Sequence, residues 1–360
     1  MPDTEKNAPL DAAAAAAAAF EAIESRPFPD DVFTAPELRW AVIGCGVIAN
    51  QMATSLALAS RRLHGVANRT REKAVAFAEK YHVEKVYDSF EELYADPEVD
   101  AVYITTPHNT HITYLRGALA AGKHVLCEKS ITLNSAELAE ARALAAANGV
   151  VLMDATTILH MPLYRELRRR ADAGEFGRMN LAQVSFGSYK EYGDLTNRFY
   201  NRGLAGGAML DIGVYALSIM RLFMASQPEE VVSLGNLAVT GVDEAGGIVC
   251  RNAEGQLGVI ALTLHSKQPK RAVISFDRCY VEVTEYPRAD AATIVWTADG
   301  RREAVRAGVE GYALCYEMAD LERAVAGDAQ AAGLIDTASD VMDLMTRLRA
   351  DWGVTYPEEE

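Results

Sequence analysis

Hydrophobic and polar positions along the chain follow two different rhythms. Between Arg39 and about Asn148, short apolar runs alternate with stretches whose apolar residues recur every three to four positions. Residues 40–43, 63–67, 99–105, 124–127 and 150–154 read as strands buried on both faces. Residues 48–59, 72–81, 110–121 and 135–147 read as helices, with Ala74, Phe77, Ala78 and Tyr81 on one face. Gly122 and Gly149 stand where two of these helices stop. Repeated β-α units of this length predict a parallel sheet with right-handed crossovers, whose ligands bind beyond the C-terminal ends of the strands.

The second half changes pattern. A helix over 163–173 ends at Gly174, a strand covers 179–186 and an apolar helix covers 210–223. Alternating runs at 231–237, 247–250, 257–264, 272–276, 279–284 and 292–296 are separated by turn residues. They predict an open, mostly antiparallel sheet with one face covered by helices. Amphipathic helices over 312–326 and 337–352 close this domain, with Gly327 and Gly353 as their stops. The expected fold class is therefore α/β, with an N-terminal nucleotide-binding-type domain over 37–157 and a C-terminal α+β domain over 158–360. Residues 1–36 read as a tail, in which Asp11 caps the alanine run 12–19 and Pro27 and Pro29 end it.

Composition narrows the class. Half of the 360 residues are hydrophobic and 24% are charged, as in a globular protein with two cores. A net charge of -15 argues against nucleic acid or an anionic membrane as partner. The five cysteines are scattered and form no C-x-x-C, which predicts reduced thiols in a cytoplasmic setting. No histidine spacing suits a metal, so none is expected. No run approaches the roughly 18 apolar residues of a membrane span, and the acidic N-terminus lacks the cationic region of a secretory signal.

Candidate chemistry clusters after the strands. Gly44-Cys45-Gly46-Val47-Ile48-Ala49 follows the first strand and opens a helix. Gly44 permits a sharp turn, Gly46 leaves room for a pyrophosphate, and the free N–H groups around Val47 and Ile48 would receive it. The second strand ends at Asn68-Arg69, where a carboxylate would select NAD(H). Its absence, with Arg69 and Arg71 at hand, favours NADP(H) and leaves NAD(H) as the alternative. Thr105, Thr106, Pro107 and Asn109 follow a central strand and are assigned to the cofactor cleft, with His108 as a substrate contact. Glu128 and Lys129 follow the next strand and are likewise assigned to the cofactor cleft, with Lys129 also placed to orient a substrate hydroxyl. Asp211 and Tyr215 lie four apart on a predicted helix and share a face. A lysine beside that phenol is expected to lower its pKa and make it a usable proton donor and acceptor.

Gly44-x-Gly46-x-x-Ala49, Glu128-Lys129 and Gly206-Gly207-Ala208-x-x-Asp211-x-Gly213-x-Tyr215 together resemble the glucose–fructose oxidoreductase / inositol dehydrogenase / MocA superfamily. The match spans about residues 38–350 in motif and domain order. The resemblance implies a Rossmann domain followed by an open-faced sheet domain often used for dimerisation. It also implies hydride transfer between nicotinamide and a hydroxyl or ketone carbon of a sugar, cyclitol or related cyclic polyol. It maps the family lysine to Lys129 and the helix pair to Asp211 and Tyr215, as in the tyrosine-type branch. A redox-neutral glycoside-cleaving enzyme and a non-catalytic sugar- or cofactor-sensing protein of the same superfamily are the alternatives. Ser130 stands where the family usually has proline, and the 156–160 turn lacks the aromatic–Arg pair of the sugar branch. The polar and aromatic loop ahead of the helix supplies Tyr189, Lys190, Asn197 and Arg198 as further substrate candidates. A homodimer or homotetramer through the C-terminal sheet is expected.

Overall fold

The computed structural model describes residues 28, 29 and 31–360, so the expected alanine-run helix lies outside the described residues. The first sheet contains β1 (Trp40–Ile43), β2 (Gly65–Ala67), β3 (Lys85–Val86), β4 (Ala101–Ile104), β5 (His124–Cys127) and β6 (Leu152–Asp154). All its pairings are parallel, in the spatial order β3-β2-β1-β4-β5-β6. This is the doubly wound order, which reverses direction between β1 and β4 and opens a crevice at their C-terminal ends. Every residue of β1 and β4 is buried, which explains why their sequences are continuously apolar. Alternate residues serve opposite faces. Ala41, Ile43, Val102 and Ile104 join one core cluster, and Trp40, Val42, Ala101 and Tyr103 join the other.

Helices α1 (Val47–Leu58), α2 (Arg71–Tyr81), α3 (Phe90–Ala95), α4 (His111–Ala120) and α5 (Ser135–Asn148) connect these strands. The α6 helix (Pro162–Asp172) then leads into an eight-stranded sheet. Its strands are β7 (Met179–Gly187), β8 (Glu230–Leu237), β9 (Asp243–Arg251), β10 (Leu257–Thr263), β11 (Gln268–Phe276), β12 (Cys279–Thr284), β13 (Ala291–Trp296) and β14 (Arg302–Arg306). The order is β14-β13-β12-β11-β7-β10-β9-β8, antiparallel except for the β7–β10 pair. One face packs Ala182, Val184, Ile260, Leu262, Ala272 and Ile274 into the core, while Val232, Leu234 and Val249 stand exposed on the other. The apolar stretch Arg202–Phe223 is long enough to cross a membrane by composition, but it is mostly buried inside the protein. It contains the π-turn Met209–Gly213 and the helix α7 (Val214–Phe223).

One expectation about domain organisation changes. The helix α8 (Ala313–Val325), read from sequence as closing the C-terminal domain, packs on the first sheet. Its Leu314, Met318 and Leu321 join the cluster built on Trp40, Val42 and Tyr103. Its Glu322 accepts the Trp40 indole N–H at 3.0 Å and an Arg61 guanidinium N–H at 2.9 Å. Burial of these leucine- and methionine-sized side chains at about 1.5–3 kcal/mol each supplies the adhesion, and the charged hydrogen bonds fix the register. The chain then returns through α9 (Ala329–Ala332) and α10 (Leu334–Trp352) to the second core.

Candidate active site

Two strand ends meet at the crevice. Gly44 has φ +104°, and a Cβ there would lie 2.8 Å from Thr105 Oγ1 and 3.2 Å from Thr105 O, so only glycine fits. A Cβ on Gly46 would meet only Thr105 O, at 4.0 Å, so the backbone there faces open space. Gly46 is the N-cap of α1, whose first turn carries no acidic residue. A cleft of about 330 Å³ opens at this point, lined by Gly44, Gly46, Asn68, Arg69, Thr105, Thr106, Pro107 and Asn109. Val47 is exposed and Ile48 half-buried at the helix start.

Residues not singled out from the sequence also line this cleft: Cys45, Lys73, Tyr114 and Leu204. Lys73 falls one turn into α2, a position that polarity alone does not distinguish from a solvated helix face. Arg71, considered from sequence as a cofactor ligand, is instead paired with Asp88. Asn109 donates through Nδ2 to Gly203 O at 3.3 Å and to Glu358 Oε1 at 2.7 Å, while its buried Oδ1 has no partner. Such a buried orphan acceptor on the cleft wall is a seat for a ligand donor.

Behind the cleft, the loop after β5 meets the π-turn. Lys129 Nζ donates to the Asp211 carbonyl at 2.8 Å and lies 3.5 Å from Asp211 Oδ1. It also sits 4.8 Å from the Tyr215 ring centroid. Ser130 Oγ donates to Leu210 O at 2.9 Å, and the Lys129–Ser130 peptide is cis. Both accepting carbonyls, Leu210 and Asp211, lie within the π-turn, a distortion that recurs at functional sites. The four-residue spacing predicts Asp211 on a regular helix, with its side chain on the Tyr215 face, whereas it lies in the π-turn. The shorter contact is in fact to its main-chain oxygen. Arg198 Nη2 reaches Asp211 Oδ1 at 3.2 Å. His108 is buried, with Nε2 3.0 Å from Lys129 O, so it braces the lysine loop from below. His111 places its ring nitrogens 3.0 Å from Ser130 O and 2.8 Å from Thr106 O, tying the cleft wall to the same loop.

The electrostatics follow from this packing. Burial alone would raise the Asp211 carboxyl, but Lys129 and Arg198 hold it down at about 2. Burial opposes charge on Lys129 too, yet Tyr215 and Asp211 outweigh it and the ammonium lies above its ordinary value. Tyr215 departs from expectation. Lys129 does pull its phenol downward, but burial is the larger effect and the net shift is upward. The phenol is therefore neutral near pH 7. Burial, then the charges of Lys129 and His111, push His108 down to about 3. The Tyr215 hydroxyl makes no hydrogen bond among the described residues and keeps some access to solvent.

Glu128 points away from the cleft mouth, into a buried acidic group. Tyr103 donates its hydroxyl to Glu128 Oε1, and the Tyr103 hydroxyl oxygen also lies 3.2 Å from Glu317 Oε2. A single phenolic proton cannot serve both contacts, so one of them needs a protonated carboxyl, and burial raises both Glu128 and Glu317. Burial, then the Glu128 charge, push Glu317 up to about 8.

The remaining substrate candidates separate. Lys190 Nζ and Arg198 Cζ lie 4.1 and 4.2 Å from the Phe199 ring centroid. Tyr189 is exposed. Asn197 is turned into its own loop: Nδ2 donates to Glu191 O and Asp194 O at 3.1 and 2.6 Å, and Oδ1 accepts from Phe199 N. It shapes the loop rather than facing the cleft. One His–carboxylate group, His64, Asp96 and Glu98, gathers within 4.8 Å among the described residues. Lys85 Nζ already lies 2.9 Å from Asp96 and pairs with Glu98, so the positive charge there is the protein's own.

A cradle that only glycine can line, a free helix N-terminus, an orphan acceptor and adjacent cations fit a dinucleotide. A lysine stacked over an unbonded phenol beside that cradle defines a dinucleotide-dependent oxidoreductase acting on a C–O centre. The comparisons agree. Residues 38–156 match the oxidoreductase family with an NAD-binding Rossmann fold, and residues 164–284 match the GFO/IDH/MocA C-terminal domain. The chain belongs to the Gfo/Idh/MocA family of NAD(P)-binding oxidoreductases. It is 35% identical over 244 residues to trans-1,2-dihydrobenzene-1,2-diol dehydrogenase of Mus musculus, covering 66% of this chain and 72% of that one. The Sus scrofa enzyme of the same name is 28% identical over 336 residues, 90% of this chain and 99% of the other. Among solved structures, the 3-ketoreductase KijD10 of Actinomadura kijaniata, with NADP and TDP-benzene, superposes with TM-score 0.75 at 22% identity, covering 88% and 98%. Levoglucosan dehydrogenase, with NADH and levoglucosan, gives TM-score 0.75 at 19% identity, covering 87% and 97%.

Proposed function

We propose that this oxidoreductase interconverts a hydroxyl and a ketone on a ring carbon of a cyclic polyol, sugar or cyclic diol, using NADP(H). The observation that carries the reading is the Lys129 ammonium held between Asp211 and the Tyr215 ring, beside an unbonded phenol. The relatives named for diols and sugars support the substrate class. Gly44, Gly46, Val47 and Ile48 would hold the pyrophosphate, Arg69 and Lys73 a 2′-phosphate, and Thr105, Thr106, Pro107 and Asn109 the path toward the nicotinamide. The bound nicotinamide supplies or accepts the hydride.

The chain's own residues manage the proton. In the reducing direction Tyr215 O–H donates to the carbonyl oxygen, and its upward-shifted pKa keeps it loaded at neutral pH. Lys129 then offsets the charge left on the phenolate. In the oxidising direction the phenolate must form first, so that direction accelerates with rising pH. Arg198 and Lys129 together keep Asp211 ionised, while its main-chain oxygen, accepting from Nζ at 2.8 Å, holds the lysine over the ring.

The test is nicotinamide absorbance on mixing with a panel of cyclic diols, sugars, cyclitols and their keto forms, with NADP(H) and NAD(H) in parallel. Net cofactor oxidation or reduction is expected, with NADP(H) preferred. Product formation with no net absorbance change would instead identify redox-neutral chemistry. We also propose that the exposed sheet face pairs two copies of the chain. Val232 faces Val249 across the β8–β9 ladder and Val249 faces Val259 across β9–β10, which makes an apolar stripe that water disfavours. All five cysteines are unpaired and four are buried, which supports the proposal of a reduced, cytoplasmic setting.

A further inference from the structure

We propose that the substrate carries an anionic substituent, a carboxylate or a phosphate, and that Lys190 and Arg198 form its seat. The inference rests on the polyol oxidoreductase reading and names what that substrate must carry. Both cations lie over one aromatic ring, Phe199, with Lys190 Nζ 4.1 Å and Arg198 Cζ 4.2 Å from its centroid. Arg198 is joined through Asp211 to Lys129, which lies over the Tyr215 ring, so two side chains separate this seat from the proton donor.

The charges around the seat do not balance. Asp211 is shared between Lys129 at 3.5 Å and Arg198 at 3.2 Å. Glu128 lies behind them, bonded to Tyr103. Glu191, next to Lys190 in the chain, is turned into its own loop and accepts from Gly193 N at 3.1 Å. Lys270 is paired with Glu285 at 2.8 Å. Lys190 Nζ is left with no carboxylate and no hydrogen-bond acceptor among the described residues, although it is half-buried. Burial depresses its basicity, and the positive charges of Arg198, Lys129 and Lys270 add to this against the pull of Asp211.

Arg198 uses one guanidinium nitrogen on Asp211 and is 57% exposed in its side chain, so most of its five donors remain open. An uncompensated half-buried ammonium costs stability, and here it stands in a chain of net charge -15. Bringing in an anion removes that cost. A planar fork beside a point charge suits a carboxylate or a phosphate oxygen pair.

The test titrates glucose, glucuronate and glucose 6-phosphate into the NADP-loaded protein by calorimetry, at low and high salt. At least one acidic sugar is expected to bind about tenfold tighter than glucose, which is about 1.4 kcal/mol, and to lose part of that advantage in salt. Comparing the two acids separates a carboxylate seat from a phosphate seat. Lys190→Met is expected to abolish the advantage, while Lys190→Arg retains most of it. Equal affinities for all three sugars, or an advantage that survives in Lys190→Met, overturn the inference. Turnover is scored separately: acid-selective binding with no redox change on any polyol would sink the oxidoreductase reading of the substrate and leave the anion seat standing.

Discussion

Replacing Tyr215 by Phe removes one oxygen atom and little else, which makes it the sharpest test of the catalytic reading. The ring would keep its place 4.8 Å below Lys129 and 6.1 Å from Phe186. The cation–π contact, worth about 0.5–2 kcal/mol, therefore survives. The hydroxyl has no partner among the described residues to lose, so folding stability should change by less than about 0.5 kcal/mol. A positioned proton donor contributes about 10²–10⁴ in rate. At 1.36 kcal/mol per decade, that is about 3–5 kcal/mol of barrier. We expect kcat to fall by two to four decades, roughly that range, while cofactor affinity and melting temperature stay near wild type. Stopped-flow nicotinamide absorbance reads the first, fluorescence titration the second and a thermal melt the third. The wild-type oxidation rate should also climb through the alkaline range as the phenol ionises, a limb the variant lacks. A kcat within tenfold of wild type, or a loss of rate that tracks a loss of stability, would refute proton transfer by Tyr215.

Further outcomes follow from other parts of the molecule. Arg69 lines the cleft and has no hydrogen-bond or salt-bridge partner among the described residues, so Arg69→Ala should weaken NADPH by about 10–100-fold, the value of a charge-assisted bond, and barely alter NADH; equal effects on both, measured by fluorescence titration, would remove Arg69 from the 2′-phosphate site. Glu317 keeps its proton up to about 8 in the native state, whereas the unfolded chain releases it near 4.5, so native stability falls as pH rises between those values. Glu317→Gln should lack that slope and gain on wild type by several degrees in melts run from about pH 5 to about pH 9; parallel curves would show an ordinary carboxyl. Leu234, 83% exposed on the sheet face, should be needed for association, so Leu234→Lys should sediment as a monomer where wild type sediments as a dimer; a monomeric wild type would dispose of the proposed interface.

Much of the architecture is legible because burial on both faces leaves a continuous apolar run and burial on one face leaves an alternating one. The strands β1, β4 and β5 and the inner strands of the second sheet announce themselves in this way. Lys85–Val86 does not, because a two-residue edge strand that is only half-buried carries no periodicity. Arg302–Arg306 escapes for a related reason: four of its five residues are kept partly or wholly in solvent at the sheet edge. The amphipathic stripe of Ala313–Val325 shows that this helix needs an apolar face without saying which one. Its docking on the first sheet is decided by Trp40 and Arg61, nearly three hundred residues away in the chain.

The candidate site divides along the same line. Local chemistry is enough to pick out Gly44, Gly46, Lys129, Asp211 and Tyr215, because the types and spacings needed for a phosphate turn and a proton relay are written in short segments. Three-dimensional packing decides the rest. It sets Lys129 on a carbonyl within a π-turn, makes burial outweigh the lysine in fixing the Tyr215 pKa, turns Asn197 into its loop and leaves Lys190 with no salt-bridge partner among the described residues. Sequence determines which groups are available and which faces must be hidden. Only the tertiary structure decides which charges meet and how much water they keep, because both depend on neighbours contributed from distant parts of the chain.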